Sequence, residues 1–167
     1  MKLKMFLGLA IVFFLNTAMG CKEDDAIWKF FSMDIKNINN EGELPLISND
    51  SIRKEAYALD ILYMGKDVDS GMDYNRIDFV NCTDTIVEQI IFTNNDFDNE
   101  YAAGSNITEF FKPIYGSFNG GSDKKKWHGG TYILTRVPNP GIHSFKVCVY
   151  RSNGTFVEKN TTPVKLY

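Results

Sequence analysis

Apolar and polar residues alternate with a period of two over most of this chain, and no long stretch repeats at helical spacing. Phe31, Met33 and Ile35 alternate with Ser32, Asp34 and Lys36, which predicts a first strand. Tyr57, Leu59, Ile61 and Tyr63 line one face of a second, with Ala58 and Asp60 on the other. Arg76–Val80 reads as a short strand with Ile77 and Phe79 inward. Thr85–Thr93 carries Ile86, Ile90 and Phe92 in phase, and Glu88 breaks that phase as a bulge or an edge would. Pro113–Phe118 reads as an edge or strand start, because Pro113 has no N–H to give a ladder. The C-terminal third predicts strands over Thr131–Val137, His143–Arg151, Thr155–Lys159 and Pro163–Tyr167, the last with Val164 and Leu166 inward. Pro138-Asn139-Pro140-Gly141 separates two of them. Ser152-Asn153-Gly154 marks a hairpin, since Asn and Gly both tolerate positive φ. One helical turn is expected where Asn106 caps and Glu109 follows three residues later, before Phe110 and Phe111.

Seven to eight short strands separated by turns predict an all-β fold, an antiparallel immunoglobulin-like β-sandwich. The run from Gly141 to Tyr150 resembles the penultimate strand of immunoglobulin-like domains. The Cys…Trp…Cys spacing of antibody domains is missing, so the resemblance is to the sandwich class rather than to a receptor family.

The N-terminus departs from this pattern. Met1-Lys2-Leu3-Lys4 is basic, Met5 to Leu15 is an unbroken apolar run of eleven residues, and Asn16-Thr17-Ala18-Met19-Gly20-Cys21 follows. A bilayer core needs about twenty apolar residues, so the run predicts a signal peptide over residues 1–20 rather than a spanning helix. Ala18-Met19-Gly20-Cys21 resembles the lipobox of bacterial lipoproteins, with Gly20 and Cys21 matching and Ala18 and Met19 departing from it. The resemblance implies an acyl (palmitate) anchor on Cys21, and hence a lipid bilayer as the first partner. Lys22, Glu23, Asp24 and Asp25 resemble the acidic surface-export signal of Bacteroidota-type lipoproteins. That implies an outer-membrane protein facing the cell surface, with residues 21–30 a lipidated acidic tether and residues 31–167 the sandwich domain.

Charge narrows the partners. Of the 18 Lys and Arg, Lys2 and Lys4 leave with the signal, so 16 face 21 acids and the formal charge moves from −3 to −5. Nucleic acid is not an expected partner, because phosphate binding needs clustered cations. Lys124-Lys125-Lys126 follows Asp123 among glycines and reads as a solvated loop.

With Cys21 lipidated, Cys82 and Cys148 remain, and in an exported protein they are either a disulfide or two half-buried thiols. Cys148 is placed opposite Phe145, Val147 and Val149 by alternation. No paired Cys or His spacing predicts a metal site, and no cofactor is implied. Asp67, Asp69 and Asp73, and separately Asn94, Asn95, Asp96, Asp98 and Glu100, supply oxygen ligands of the kind Ca²⁺ takes, but neither run matches an EF-hand loop. Asx-rich turns account for both.

Asp50-Ser51-Ile52 and Asp84-Thr85-Ile86 resemble the O-glycosylation acceptor of Bacteroidota-type exported proteins, which implies Ser51 and Thr85 as modification sites. Trp127 and His128 lie among glycines, where an aromatic ring beside Asn and Lys suits a sugar ring or a protein anchor. His128 and His143 are the near-neutral bases, and no nucleophile elbow, zinc-protease motif or phosphate loop accompanies them. An enzyme is not expected.

Four stretches resemble a family of Bacteroidota-type lipoproteins that carry a domain of unknown function. They are Asp34–Ile38, Arg53-Lys54-Glu55-Ala56-Tyr57, Ile90-Ile91-Phe92-Thr93 through Asp96-Phe97-Asp98, and Ala103-Gly104-Ser105 to Phe110-Phe111. The likeness runs from about residue 30 to the end and implies an immunoglobulin-like sandwich on a lipid anchor. It transfers no functional residue. Two classes follow: a non-catalytic surface module binding a glycan or protein, or a structural accessory subunit of an envelope complex.

Overall fold

The computed structural model describes residues 28–67, 73–74, 86–114 and 129–167. These residues are all-β, in sheets that are antiparallel save for one short pair. The strands are β1 (Trp28–Asn39), β2 (Leu46–Ile47), β3 (Ser51–Ile52), β4 (Tyr57–Asp67), β5 (Asp73–Tyr74) and β6 (Ile86–Thr93). After them come β7 (Phe111–Pro113), β8 (Gly130–Leu134), β9 (Gly141–His143), β10 (Phe145–Arg151), β11 (Phe156–Asn160) and β12 (Val164–Leu166). The largest sheet runs β2-β1-β4-β8-β7, with β5 also on β4. Two three-stranded sheets, β11-β10-β6 and β3-β12-β9, complete the fold.

Their inner faces share one core. Leu59, Ile61 and Tyr63 of β4 meet Val147 and Val149 of β10 and Val164 and Leu166 of β12 in a single buried cluster. Aromatic rings bridge the sheets: Phe145 of β10 lies 5.3 Å from Tyr57 of β4 and 5.6 Å from Phe111 of β7. Polar contacts also cross this apolar interior. The Tyr63 hydroxyl donates to buried Gln89 of β6. Tyr57 donates to Asn37 Oδ1 at 2.7 Å, while Asn37 Nδ2 donates to the Thr162 carbonyl and hydroxyl, each at 3.0 Å. Burial pushes the Tyr57 and Tyr63 phenols well above their ordinary range, because the charged form has no water there.

Local irregularities correct several sequence expectations. Strand β1 starts at Trp28, three residues before the expected first strand at Phe31. A bulge between Phe30 and Ser32 adds one residue against β4. Alternation therefore changes phase there: Phe30 is fully buried, while Phe31, expected inward, is 42 % exposed. In β6 the inward residues are Gln89, Ile91 and Thr93, whereas Ile90 and Phe92 face out. The expected irregularity at Glu88 is present as a register shift between Tyr150 and Arg151 of the partner strand, and it returns Ile86 to the core.

The expected strand His143–Arg151 is two strands. Ser144 donates its N–H to Asn95 Oδ1 at 3.1 Å, and the chain passes there from the β9 sheet to the β10 sheet. The hairpin after β10 closes between Arg151 and Thr155, with three residues in the turn and Gly154 at φ +80°. Asn106 Oδ1 accepts from Thr108 N–H, but the expected cap is displaced by one residue: Ile107 caps a 3₁₀ turn over Thr108–Phe110, without a side-chain bond. The short β2, β3 and β5 and the parallel pairing of β3 with β12 were not expected. The predicted strand Arg76–Val80 lies outside the described residues, as does most of Pro113–Phe118.

Side chains join β1 to the β10–β11 hairpin. Lys159 Nζ reaches Asp34 Oδ1 at 2.8 Å, and Arg151 Nη1 donates to the Phe30 carbonyl at 3.0 Å.

Candidate functional site

The outward face of β6-β10-β11 gathers the densest set of recognition-type side chains among the described residues. Its register follows from the tight hairpin after β10, which pairs Tyr150 with Phe156, Cys148 with Glu158 and Lys146 with Asn160. On the other side β6 brings Phe92 opposite Lys146 and Ile90 opposite Cys148. Because Val147 and Val149 point into the core, all of these partners point out.

The aromatic groups are held without being hidden. Phe156 is 56 % exposed, and its ring centroid lies 5.8 Å from that of Tyr150 at an interplanar angle of 35°. Lys146 Nζ sits 5.4 Å from the Phe92 ring centroid and 3.8 Å from Glu158 Oε2. The lysine stem thus lies along the sheet while its charge is shared between a π face and a carboxylate. Beneath these side chains Cys148 is only 3 % exposed, and its thiol donates to Glu158 Oε2 at 3.7 Å. Burial pushes the Cys148 thiol up, so it resists forming thiolate and is a poor nucleophile. At the end of the face Asn94 Nδ2 donates to Asn160 Oδ1 and Ser144 Oγ, both at 3.1 Å. The arrangement offers a stacking surface edged by amide, amine and carboxylate groups.

Other sequence candidates are placed differently. Ser51 is exposed on β3, opposite Lys165 of β12. Cys148 carries a free thiol, while Cys82, the other half of the expected bridge, lies outside the described residues. Cys21, Lys22, Glu23, Asp24, Asp25, Thr85, Trp127 and His128 also lie outside them.

The acidic loop after β6 spends its carboxylates on itself. Asp96 Oδ1 accepts from Ala103 N–H, and Asp98 Oδ1 accepts from the N–H groups of Glu100 and Tyr101. Arg136 closes the loop, with Nε 2.8 Å from Asp98 Oδ2 and its guanidinium 4.6 Å from the Tyr101 ring centroid. Desolvation works to raise the Asp98 carboxyl, but those two N–H groups and Arg136 outweigh it and hold it below the ordinary carboxylate range. A guanidinium seated on the carboxylate is what an Asx-turn loop allows and a Ca²⁺ loop does not. His143 is 2 % exposed, donates from Nε2 to the Asn139 carbonyl at 2.7 Å, and packs beside Phe97 and Phe145.

Sequence reasoning did not find the outward face. Part of the signal was present, since Tyr150 lies opposite Phe145, Val147 and Val149 by alternation, but alternation placed Phe92 inward. The proximity of Phe92, Tyr150 and Phe156 depends on register, which alternation within one strand does not give.

Comparison with known proteins adds little. No protein-family model matches the chain, and no curated protein matches it. Among solved structures, the C-terminal domain of the Streptococcus agalactiae AgI/II polypeptide BspA is similar at 10 % identity, with a TM-score of 0.31. The match covers 81 % of this chain and 49 % of that one, so this chain spans about half the length of that structure.

Proposed function

We propose that this chain is a non-catalytic binding module of the bacterial cell surface, held by lipid on Cys21 and recognising a glycan through the outward face of β6-β10-β11. The observation that carries the reading is the pair Tyr150–Phe156 beside Lys146, Glu158 and Asn160. The exposed Phe156 ring, braced by the half-buried Tyr150 ring, supplies an apolar face for the C–H side of a sugar ring, and flanking amide and charged groups would satisfy its hydroxyls. Lys22 to Asp25 would carry the export signal, and the short tether would keep the module close to the outer membrane. Trp127 and His128 belong to the same reading as a second ligand loop, and glycosylation of Ser51 or Thr85 would mark the exported form.

The test is a glycan array probed with the wild-type chain and with Phe156→Ala. Loss of signal in the variant at unchanged melting temperature is expected. Unchanged binding, or no glycan bound by the wild type, refutes the assignment of this face. The anchor is tested separately by metabolic labelling with a palmitate analogue, which Cys21→Ser should abolish.

A further inference from the structure

The outward face of β6-β10-β11 carries a charge pattern that its aromatic rings do not explain. Strand β6 holds one extra residue near Val87, against the step from Tyr150 to Arg151 in β10. That bulge keeps Gln89 buried and leaves Glu88 exposed on the outward face, opposite Tyr150. Phe156, Tyr150 and Glu88 therefore form one cross-strand row, about 10 Å from end to end at the usual strand spacing. Glu158 stands two residues on from Phe156, in the next row with Cys148. The bulge thus sets a second carboxylate beside the aromatic pair.

Cations do not balance these acids on the same face. The three strands contain Lys146, Arg151 and Lys159. Arg151 shares the inward phase of Val147 and Val149, and Lys159 that of Val157. Both turn toward β1, where Lys159 Nζ meets Asp34 Oδ1 at 2.8 Å and Arg151 Nη1 donates to the Phe30 carbonyl at 3.0 Å. Lys146 stays on the outward face, 3.8 Å from Glu158 Oε2. The Cys148 thiol donates to that same oxygen, so Glu158 Oε1 has no partner among the described residues. Glu88 makes no hydrogen bond or ion pair with any of them.

We propose that the sugar taken by this face bears an amine: an unacetylated hexosamine in its ammonium form, rather than a neutral or acidic sugar. The assignment presupposes the glycan reading of the face and adds the charge of the ligand. A pyranose seated on the exposed Phe156 ring has Tyr150 beside it along the row and Glu158 along the strand, with Glu88 at the far end of the row. An ammonium substituent gains from the π face of Tyr150 and from charge-assisted hydrogen bonds to Glu158 Oε1 or Glu88. A neutral sugar desolvates the same two carboxylates with no charge to compensate them. An acidic sugar sets a third carboxylate against them. A lysine or arginine side chain of a peptide meets the charges equally well. Its flexible stem, however, covers the Phe156 ring only by giving up rotamer freedom, which a rigid pyranose does not have to lose.

The experiment titrates the full chain calorimetrically, at about pH 5.5 and low salt, with hexamers of glucosamine, N-acetylglucosamine and galacturonate. The glucosamine hexamer should bind about tenfold more tightly than its acetylated counterpart, and the galacturonate hexamer most weakly. Glu88→Gln and Glu158→Gln, each at wild-type melting temperature, should narrow that preference to about threefold or less, and about 0.5 M NaCl should narrow it in the wild type. Phe156→Ala should abolish binding of the glucosamine hexamer. Equal binding of the acetylated hexamer, tighter binding of the galacturonate, or a preference that survives both Glu→Gln changes overturns the charge assignment. Where the hexamer that does bind is still lost with Phe156→Ala, the glycan reading stands without that assignment. Binding of none of the three overturns the assignment, and the glycan array then decides the reading on its own. Hexalysine that binds as tightly as the glucosamine hexamer, and depends equally on Phe156, gives the face to a cationic peptide and overturns both.

Discussion

Replacing Asn37 with alanine removes a side chain that ties β1, β4 and the segment leading into β12 together through the interior. Asn37 is fully buried, and so nearly is Tyr57, at 1 % exposure. The two bonds from Asn37 Nδ2 to Thr162, each at 3.0 Å, contribute about 1 kcal/mol apiece. The Tyr57 hydroxyl, which donates to Asn37 Oδ1 at 2.7 Å, is then stranded without water, and that adds about 1–2 kcal/mol. The expected loss is about 3–4 kcal/mol, or a melting temperature lower by roughly 10 °C for a domain of this size. Tyr57→Phe alone should cost about 1–2 kcal/mol. The double variant should cost less than the sum by about 1–2 kcal/mol, because no stranded hydroxyl remains to be penalised. Urea unfolding of the four proteins, with unchanged denaturant slope, measures this cycle. Additivity within about 0.5 kcal/mol, or a loss below about 1 kcal/mol for Asn37→Ala, would refute the claim that this contact is a buried coupled network.

The bulge in β1 makes opposite predictions for adjacent residues. Phe30→Ala should cost about 3–5 kcal/mol and Phe31→Ala under about 1 kcal/mol, and thermal melts showing the reverse order would mean that the phase does not change at Phe31. The hydrogen bond from Lys159, with its charge, holds the Asp34 carboxyl below its ordinary value, so this contact adds stability above the unfolded carboxylate range and loses it as pH falls through the folded value. Lys159→Ala should therefore flatten the acid limb of the stability curve by less than about 1 kcal/mol, and an unchanged limb removes the ion pair from the account. Cys148 should react with a thiol reagent at pH 8 at least about 100-fold more slowly in the folded chain than in urea, since it is 3 % exposed and its thiol is pushed up by burial. Fast reaction would mean that the side chains covering it move aside.

Alternation alone determined that the chain is all-β, and it identified the inward residues Leu59, Ile61 and Tyr63 of β4 and Val164 and Leu166 of β12. That is because in a half-buried strand the side-chain period of two is imposed by backbone geometry, whatever lies next to it. It misplaced Phe31, Ile90 and Phe92, because a single extra residue reverses the faces from that point on, and a bulge has no local composition that distinguishes it from the strand around it. It also missed the break at Ser144, where a side chain 49 residues back in neither strand, Asn95, takes the N–H that a ladder would have used. The outward pair Tyr150–Phe156 and the buried Asn37–Tyr57–Thr162 contact belong to the same class. Each depends on which strands become neighbours and in what register, and that is decided by burying one common core rather than by any single segment. The sequence by itself determined strands, turns and an expected export address; only the tertiary structure decided which faces are left for a partner.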